Sequence, residues 1–226
     1  MRTLFLIILF SYTLVPSCYV NRSSADSLGD HYQYSFELRG SNSSNMNFED
    51  SIVHVSFKIT DKSIDFTLGT KARESLKIDW NDASITMFGR ADQVIHNGIK
   101  YIKRFDPMPP TIISSGATIN ESVIPAFKVY ENTVHVQDNY HGHYTVAEGG
   151  WKINDLLISW DHKDDMARKE IQKMIGSQIE LYLPIRDNSN KEFGYRFSFK
   201  INGVKCITCK DGMPSTKDKA TEKSKF

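Results

Sequence analysis

The residues with the widest chemical reach in this chain are its histidines and cysteines. His135 stands close to His141-Gly142-His143. On an extended strand residues two apart share a face, so His141 and His143 are placed to ligate one metal, with His135 as a third nitrogen ligand and Asp138 and Glu148 as oxygen donors. Zinc takes three or four such ligands. The competing reading is a polar loop beside Tyr140 and Tyr144 whose imidazoles are simply solvated. Cys206-Ile207-Thr208-Cys209 offers a local disulfide in an oxidising compartment. A thioredoxin-type redox pair would open a helix after a strand, where the helix end lowers the thiol pKa. Here Asn202-Gly203 precedes and Lys210-Asp211-Gly212 follows, a turn–strand–turn context that favours a structural or free pair. One pair alone also supplies only two zinc ligands.

Other candidates are weaker in chemistry. His162, in Trp160-Asp161-His162-Lys163-Asp164-Asp165, sits among carboxylates as a general base would. No nucleophile elbow accompanies it, and a capped helix start explains the same residues. His96, ahead of Asn97-Gly98, is expected to pin that turn by a hydrogen bond. Trp80, Trp151 and Trp160 read first as core or sheet-face anchors and second as ligand platforms. Phosphate-loop, dinucleotide and calcium-loop signatures are missing; Asp61–Asp65 and Asp161–Asp165 lack the spacing and the glycine of an EF-hand. No catalytic residue and no cofactor are assigned.

The elements that must carry these residues are mostly strands. Val53, Val55, Phe57 and Ile59 alternate with His54, Ser56 and Lys58. Tyr34–Leu38, Ile64–Leu68, Leu76–Trp80, Ile179–Ile185 and Tyr195–Ile201 follow the same period of two, the mark of half-buried antiparallel strands. Further strands are expected at Ile85–Phe88, Gln93–His96, Ile99–Lys103, Glu121–Ile124, Thr133–Gln137, His143–Val146 and Asp155–Trp160. Asn97-Gly98 is expected to close a hairpin between two of them. A helix is expected over 164–175, with acidic residues at its start, Ala167, Ile171, Met174 and Ile175 on one face, and Gly176 ending it. Short strands with polar turns predict a mainly all-β chain: an antiparallel, immunoglobulin-like β-sandwich with one short helix. Thirteen Phe and ten Tyr suit such strands.

The first residues have a separate logic. Arg2 leads an apolar run from Leu4 to Val15, long enough for a signal-peptide core and short of the ~20 residues of a membrane-spanning helix. Leu14-Val15-Pro16-Ser17-Cys18 resembles the lipobox of bacterial lipoproteins, in which the cysteine becomes a lipidated N-terminus. The resemblance implies lipidation of Cys18; an ordinary secretory signal cleaved nearby is the alternative. Tyr19 after the cysteine resembles the outer-membrane class, facing the periplasm. The expected organisation is a signal peptide over 1–17, a polar tether over 18–30, one domain over 31–209 and a charged, disordered tail over 210–226 with five lysines. The formal charge of +1 and the lack of a basic stripe argue against nucleic acid as a partner.

Ile78-Asp79-Trp80-Asn81-Asp82-Ala83-Ser84, Val94 to Tyr101, Pro109 to Ile113, Gly149-Gly150-Trp151, Ile179 to Ile185 and Tyr195 to Phe199 are similar to a set of uncharacterised bacterial cell-envelope lipoproteins, over roughly residues 50–202. A less complete likeness, to the META-domain lipoproteins, rests on His143-Tyr144-Thr145-Val146 and Met166-Ala167-Arg168, without that group's cysteines. The resemblance implies an envelope β-sandwich and no activity. The expected function is therefore a lipid-anchored, non-enzymatic binding or structural module of the cell envelope, with the membrane and possible envelope proteins as partners. A small-molecule or metal-binding role through His135, His141 and His143 is the alternative.

Overall fold

The computed structural model describes residues 29–40, 43–138, 142–161 and 165–209; the side chains at 43–44, 133–138, 142–149, 161 and 165 fall outside that description. The architecture is all-β with one short helix. The strands are β1 (Asp30–Arg39), β2 (Ser43–Ser44), β3 (Asn47–Glu49), β4 (Val53–Ile59), β5 (Ile64–Thr70), β6 (Leu76–Ile78), β7 (Ser84–Met87), β8 (Arg90–His96), β9 (Thr111–Ile113), β10 (Thr118–Pro125), β11 (Val129–Asp138), β12 (Gly142–Ile153) and β13 (Trp160–Asp161). Helix α1 (Asp165–Lys173), β14 (Gln178–Arg186) and β15 (Glu192–Cys206) follow.

All but two strands join one antiparallel sheet, with the main order β13-β1-β15-β14-β7-β8-β10-β5-β4-β3-β2 and with β6 and β9 attached beside β14. The sheet folds back on itself because its described inward face is mainly apolar. Val53, Val55 and Phe57 on β4, Ile64, Phe66 and Leu68 on β5, and Phe197, Phe199 and Ile201 on β15 are all buried. Phe57 of β4 lies 4.7 Å from the ring of Phe197 and 5.0 Å from Phe199, although β4 and β15 are far apart along the strand order. Phe48 of β3 adds a T-shaped contact to Phe197 at 5.3 Å. The two facing layers are thus halves of one continuous sheet, and tilted or edge-on aromatic pairs fill the space between them. The remaining hairpin, β11–β12, stands apart as a two-stranded ribbon.

Local chemistry sets the ends of these elements. Helix α1 inserts Ile171, fully buried, and the turn that follows it closes at Gly176, whose φ of +91° is the left-handed conformation that glycine adopts without a Cβ penalty. The β14–β15 turn is organised by Asp187: its Oδ1 accepts the N–H groups of Ser189 and Lys191, each at 2.9 Å, and the Ser189 hydroxyl at 2.6 Å. The Ser189 side chain is the main cause that holds the Asp187 carboxyl below the ordinary aspartate range. Beside the same turn, Arg186 bonds Asp79 at 2.5 Å, Asp82 at 2.9 Å and Glu192 at 3.0 Å, tying the segment before β7 to β14.

Two expected strands are not formed. Ile99–Lys103 does not return from Asn97-Gly98 as a hairpin partner. Gly98 takes a φ of +84°, and Tyr101–Lys103 is a 3-10 turn with Ile102 largely exposed. Both edges of β8 are already taken, by β7 and β10, so the turn directs the chain out of the sheet. Asp155–Trp160 pairs only at its end, where Trp160 opposes His31. Leu156 and Leu157 are both buried, and the segment is tied by Leu156 N–H to the Asp61 carbonyl at 2.6 Å and Tyr32 N–H to the Ser159 carbonyl at 2.9 Å in place of a ladder. No helix among the described residues is long and apolar enough to cross a membrane.

Candidate functional site

The irregular 153–159 segment forms one wall of a surface depression of about 400 Å³. The opposite walls come from the β7–β8 turn, from the residue just before β11, and from the end of α1. Phe88, Ile153, Trp160 and Met174 give it an apolar and aromatic lining; Lys128 and Asp155 are its charged members. Its lining mixes polar and apolar surface in about equal measure, and it opens broadly to solvent.

Phe88 is held there by its turn. The β7–β8 connection has two residues, Phe88 and Gly89, with φ of +51° and +78°, the pattern of a type I′ hairpin. Glycine takes this conformation freely, whereas a bulky side chain there is a strained exception. Phe88 is also 55 % exposed, so its packing does no more than match the strain. An aromatic ring displayed in a costly conformation beside a half-exposed Trp160 is the arrangement found where strain serves a site.

Lys128 ends a 3-10 turn, Ala126–Lys128, that closes the β10–β11 corner. Its carbonyl accepts the Asn154 N–H at 2.8 Å, and its own Nζ donates to the Asp155 carbonyl at 2.5 Å. Main chain and side chain thus both hold the 153–159 wall in place. The Asp155 carboxylate accepts a hydrogen bond from the Ser159 hydroxyl. Partial burial pushes the Lys128 ammonium below the ordinary lysine range, and the Asp155 charge opposes that shift. Phe127, whose N–H bonds Asp92 at 2.8 Å, presents its ring to the Arg90 guanidinium at 4.8 Å and to Lys128 Nζ at 5.4 Å. The depression therefore holds an ammonium that also faces the Phe127 ring, which is not part of its lining.

The residues singled out from sequence fall elsewhere. His135 and His143 lie on the β11–β12 ribbon, where the ladder pairs His135 with Thr145 and Gln137 with His143, making the two histidine positions diagonal neighbours. Their side chains, and the whole of His141 and His162, lie outside the described residues, as does Cys18. His96 pins its turn only through its main chain, whose carbonyl accepts the Ile99 N–H at 3.3 Å; its side chain takes no part. Its ring stacks 4.2 Å from the fully buried Trp80 at an angle of 10°, and neither ring nitrogen has a hydrogen-bond partner among the described residues. Its Nδ1 stands 3.7 Å from the buried Glu121 Oε2, too far for a hydrogen bond. The reason is register: His96 opposes Val123 on the inward face of the sheet, so the ring turns into the core and away from Asn97-Gly98. Trp80 donates from Nε1 to Thr111 Oγ1 at 2.8 Å, Trp151 lies 4.6 Å from the Arg104 guanidinium, and Trp160 alone borders the depression. Cys206 and Cys209 are joined in a disulfide at the end of β15, with Cα atoms 5.6 Å apart.

Neither Phe88 nor Lys128 carries a sequence signature of function. The signal that could have found Phe88 is the two-residue gap between two strands, filled by a residue type that hairpin turns avoid. No family model, curated protein or solved structure matches the chain.

Proposed function

We propose that this chain is a non-catalytic binding module of the bacterial cell envelope, tethered to a membrane through lipid on Cys18, and that its domain takes a small amphipathic anion in the depression at Lys128. The ligand reading rests on Lys128. A partly buried ammonium is costly unless compensated; its hydrogen-bond partner here is a neutral carbonyl, and the Asp155 charge offsets only part of the effect of burial. A carboxylate or sulfonate placed against Nζ would complete that pairing, with the ligand's apolar body against Phe88, Trp160 and Met174. The anchor reading is supported by the lipobox-like Leu14–Cys18 and by the resemblance of the later strands to envelope lipoproteins.

The ligand test is a fluorescence titration with anilinonaphthalene sulfonate, an aromatic anion, on the folded protein and on Lys128→Met. Saturable binding at one site, weakened about tenfold or more in the variant, is expected, since a charge-assisted contact is worth about 1.5–3 kcal/mol. Equal affinity in both proteins would overturn the site. The anchor test is metabolic labelling with a fatty-acid analogue: label on the wild type and none on Cys18→Ala is expected, and an unlabelled wild type removes the anchor. A second reading, a metal on the β11–β12 ribbon, is favoured by the diagonal placement of His135 and His143, with His141 two residues before His143 in the sequence. Metal analysis of the purified protein with and without His141→Ala and His143→Ala decides it, and a metal-free wild type ends it.

A further inference from the structure

Cys206 and Cys209 converge with a residue far away in the chain. Asp30, at the start of β1, is 3 % exposed, and one carboxylate oxygen of it and the two Sγ atoms all lie within 4.8 Å of one another. We propose that this is a redox-gated zinc site: closed as a disulfide, and opened by a dithiol reductant to a Cys206–Cys209–Asp30 ligand set.

The charges argue for a cation of this kind. Once reduced and ionised, the two thiolates and the carboxylate carry three negative charges in a half-buried corner. The Arg168 guanidinium, 2.5 Å from Asp30 Oδ2, supplies one positive charge. A divalent ion balances the remainder. Two sulfur ligands favour zinc over magnesium or calcium, and three protein ligands leave one tetrahedral position open.

The corner is also organised independently of the sulfur–sulfur bond. Ile207 N–H donates to the His31 carbonyl at 2.7 Å, and His31 N–H donates to Thr208 Oγ1 at 2.9 Å. The two residues between the cysteines are therefore clamped to the backbone next to Asp30. Opening the disulfide leaves the turn against β1. The Cys209 N–H lies 3.0 Å from Cys206 Sγ and would serve a thiolate as a donor. In the opening step the reductant's two thiols become a disulfide, the Cys206–Cys209 bond takes up two electrons and two protons, and zinc binding then releases the two thiol protons.

The test uses cobalt(II) as a spectroscopic stand-in on the folded protein. After reduction by dithiothreitol and its removal under anaerobic conditions, one equivalent of cobalt should bind with a thiolate-to-metal charge-transfer band, and the oxidised protein should show no band. Asp30→Asn should keep the band and weaken binding by at least the about 10–100-fold that losing a supporting residue costs a metal site. Because Asp30→Asn also breaks the Arg168 pair, X-ray absorption of the zinc-loaded wild type gives an independent reading. Two sulfur neighbours at about 2.3 Å with lighter oxygen or nitrogen neighbours at about 2.0 Å are expected. A reduced wild type that binds no cobalt, or zinc surrounded by four sulfurs or none, would overturn the proposal.

Discussion

Replacing Phe88 by Asn separates what this residue does for the fold from what it does for the site. A left-handed conformation costs an L-residue roughly 1–2 kcal/mol, and asparagine tolerates it far better than phenylalanine. The substitution therefore recovers about 1 kcal/mol at the β7–β8 turn, where φ is +51°. Against this stands the packing lost. Fully burying a phenylalanine is worth about 1.5–3 kcal/mol, but Phe88 is 55 % exposed, so its cover contributes about 1 kcal/mol. The two effects nearly cancel. Urea unfolding should give a stability within about 1 kcal/mol of wild type, and the midpoint of thermal unfolding should move by no more than about 2–4 °C. Binding of anilinonaphthalene sulfonate should behave differently. An aromatic contact adds about 0.5–1.5 kcal/mol beyond area, so the loss should reach up to about tenfold in affinity. A destabilisation above about 2 kcal/mol would show that Phe88 is a packing residue, and unchanged probe affinity would show that its display has no part in binding.

Other perturbations address the frame and its charges. Phe57→Ala, at the contact between the two halves of the sheet, should cost about 3–5 kcal/mol in urea unfolding; a loss below about 1 kcal/mol would contradict the fold-back. Asp187 has a folded-state pKa below its unfolded value, so the stability it contributes is present above the unfolded pKa of ~3.9 and is lost as pH falls through the folded value. Asp187→Asn should flatten that acid limb, and an unaltered limb would remove the role of the turn. Lys128 also has a lowered folded-state pKa, but as a base: the folded protein binds fewer protons than the unfolded chain in the window just below ~10.4, so stability should rise with pH there. Lys128→Met should lose that rise, and anionic-probe affinity in the wild type should fall over the same window.

The strands were legible wherever one face is core and the other solvent. Val53 to Phe57 and Ile179 to Ile185 alternate without interruption, and each forms the strand its pattern predicts. The helix was legible for the same reason, through Ile171 and Gly176. Reading failed where tertiary pairing decides. Asn97-Gly98 has the chemistry of a hairpin, yet β8 had no free edge to offer it. Leu156-Leu157 looks like part of a strand, yet the segment spends its hydrogen bonds on Asp61 and Tyr32. The depression was invisible for a deeper reason: Phe88, Lys128, Trp160 and Met174 lie on four separate elements, and no spacing along the chain encodes their approach.

The ladder between β1 and β15 has a mechanical consequence. It is antiparallel and begins at Tyr32 opposite Cys206, so the segments before residue 29 and after residue 209 leave the domain from the same end. Tension applied between those two segments peels the ladder open one pair at a time, starting at the disulfide corner. Tension between the leading segment and a partner seated on the far side of the sheet instead pulls β1 along its length and loads its register pairs together. The domain is thus compliant to tension between its own ends and stiff to a load applied at the opposite end of β1.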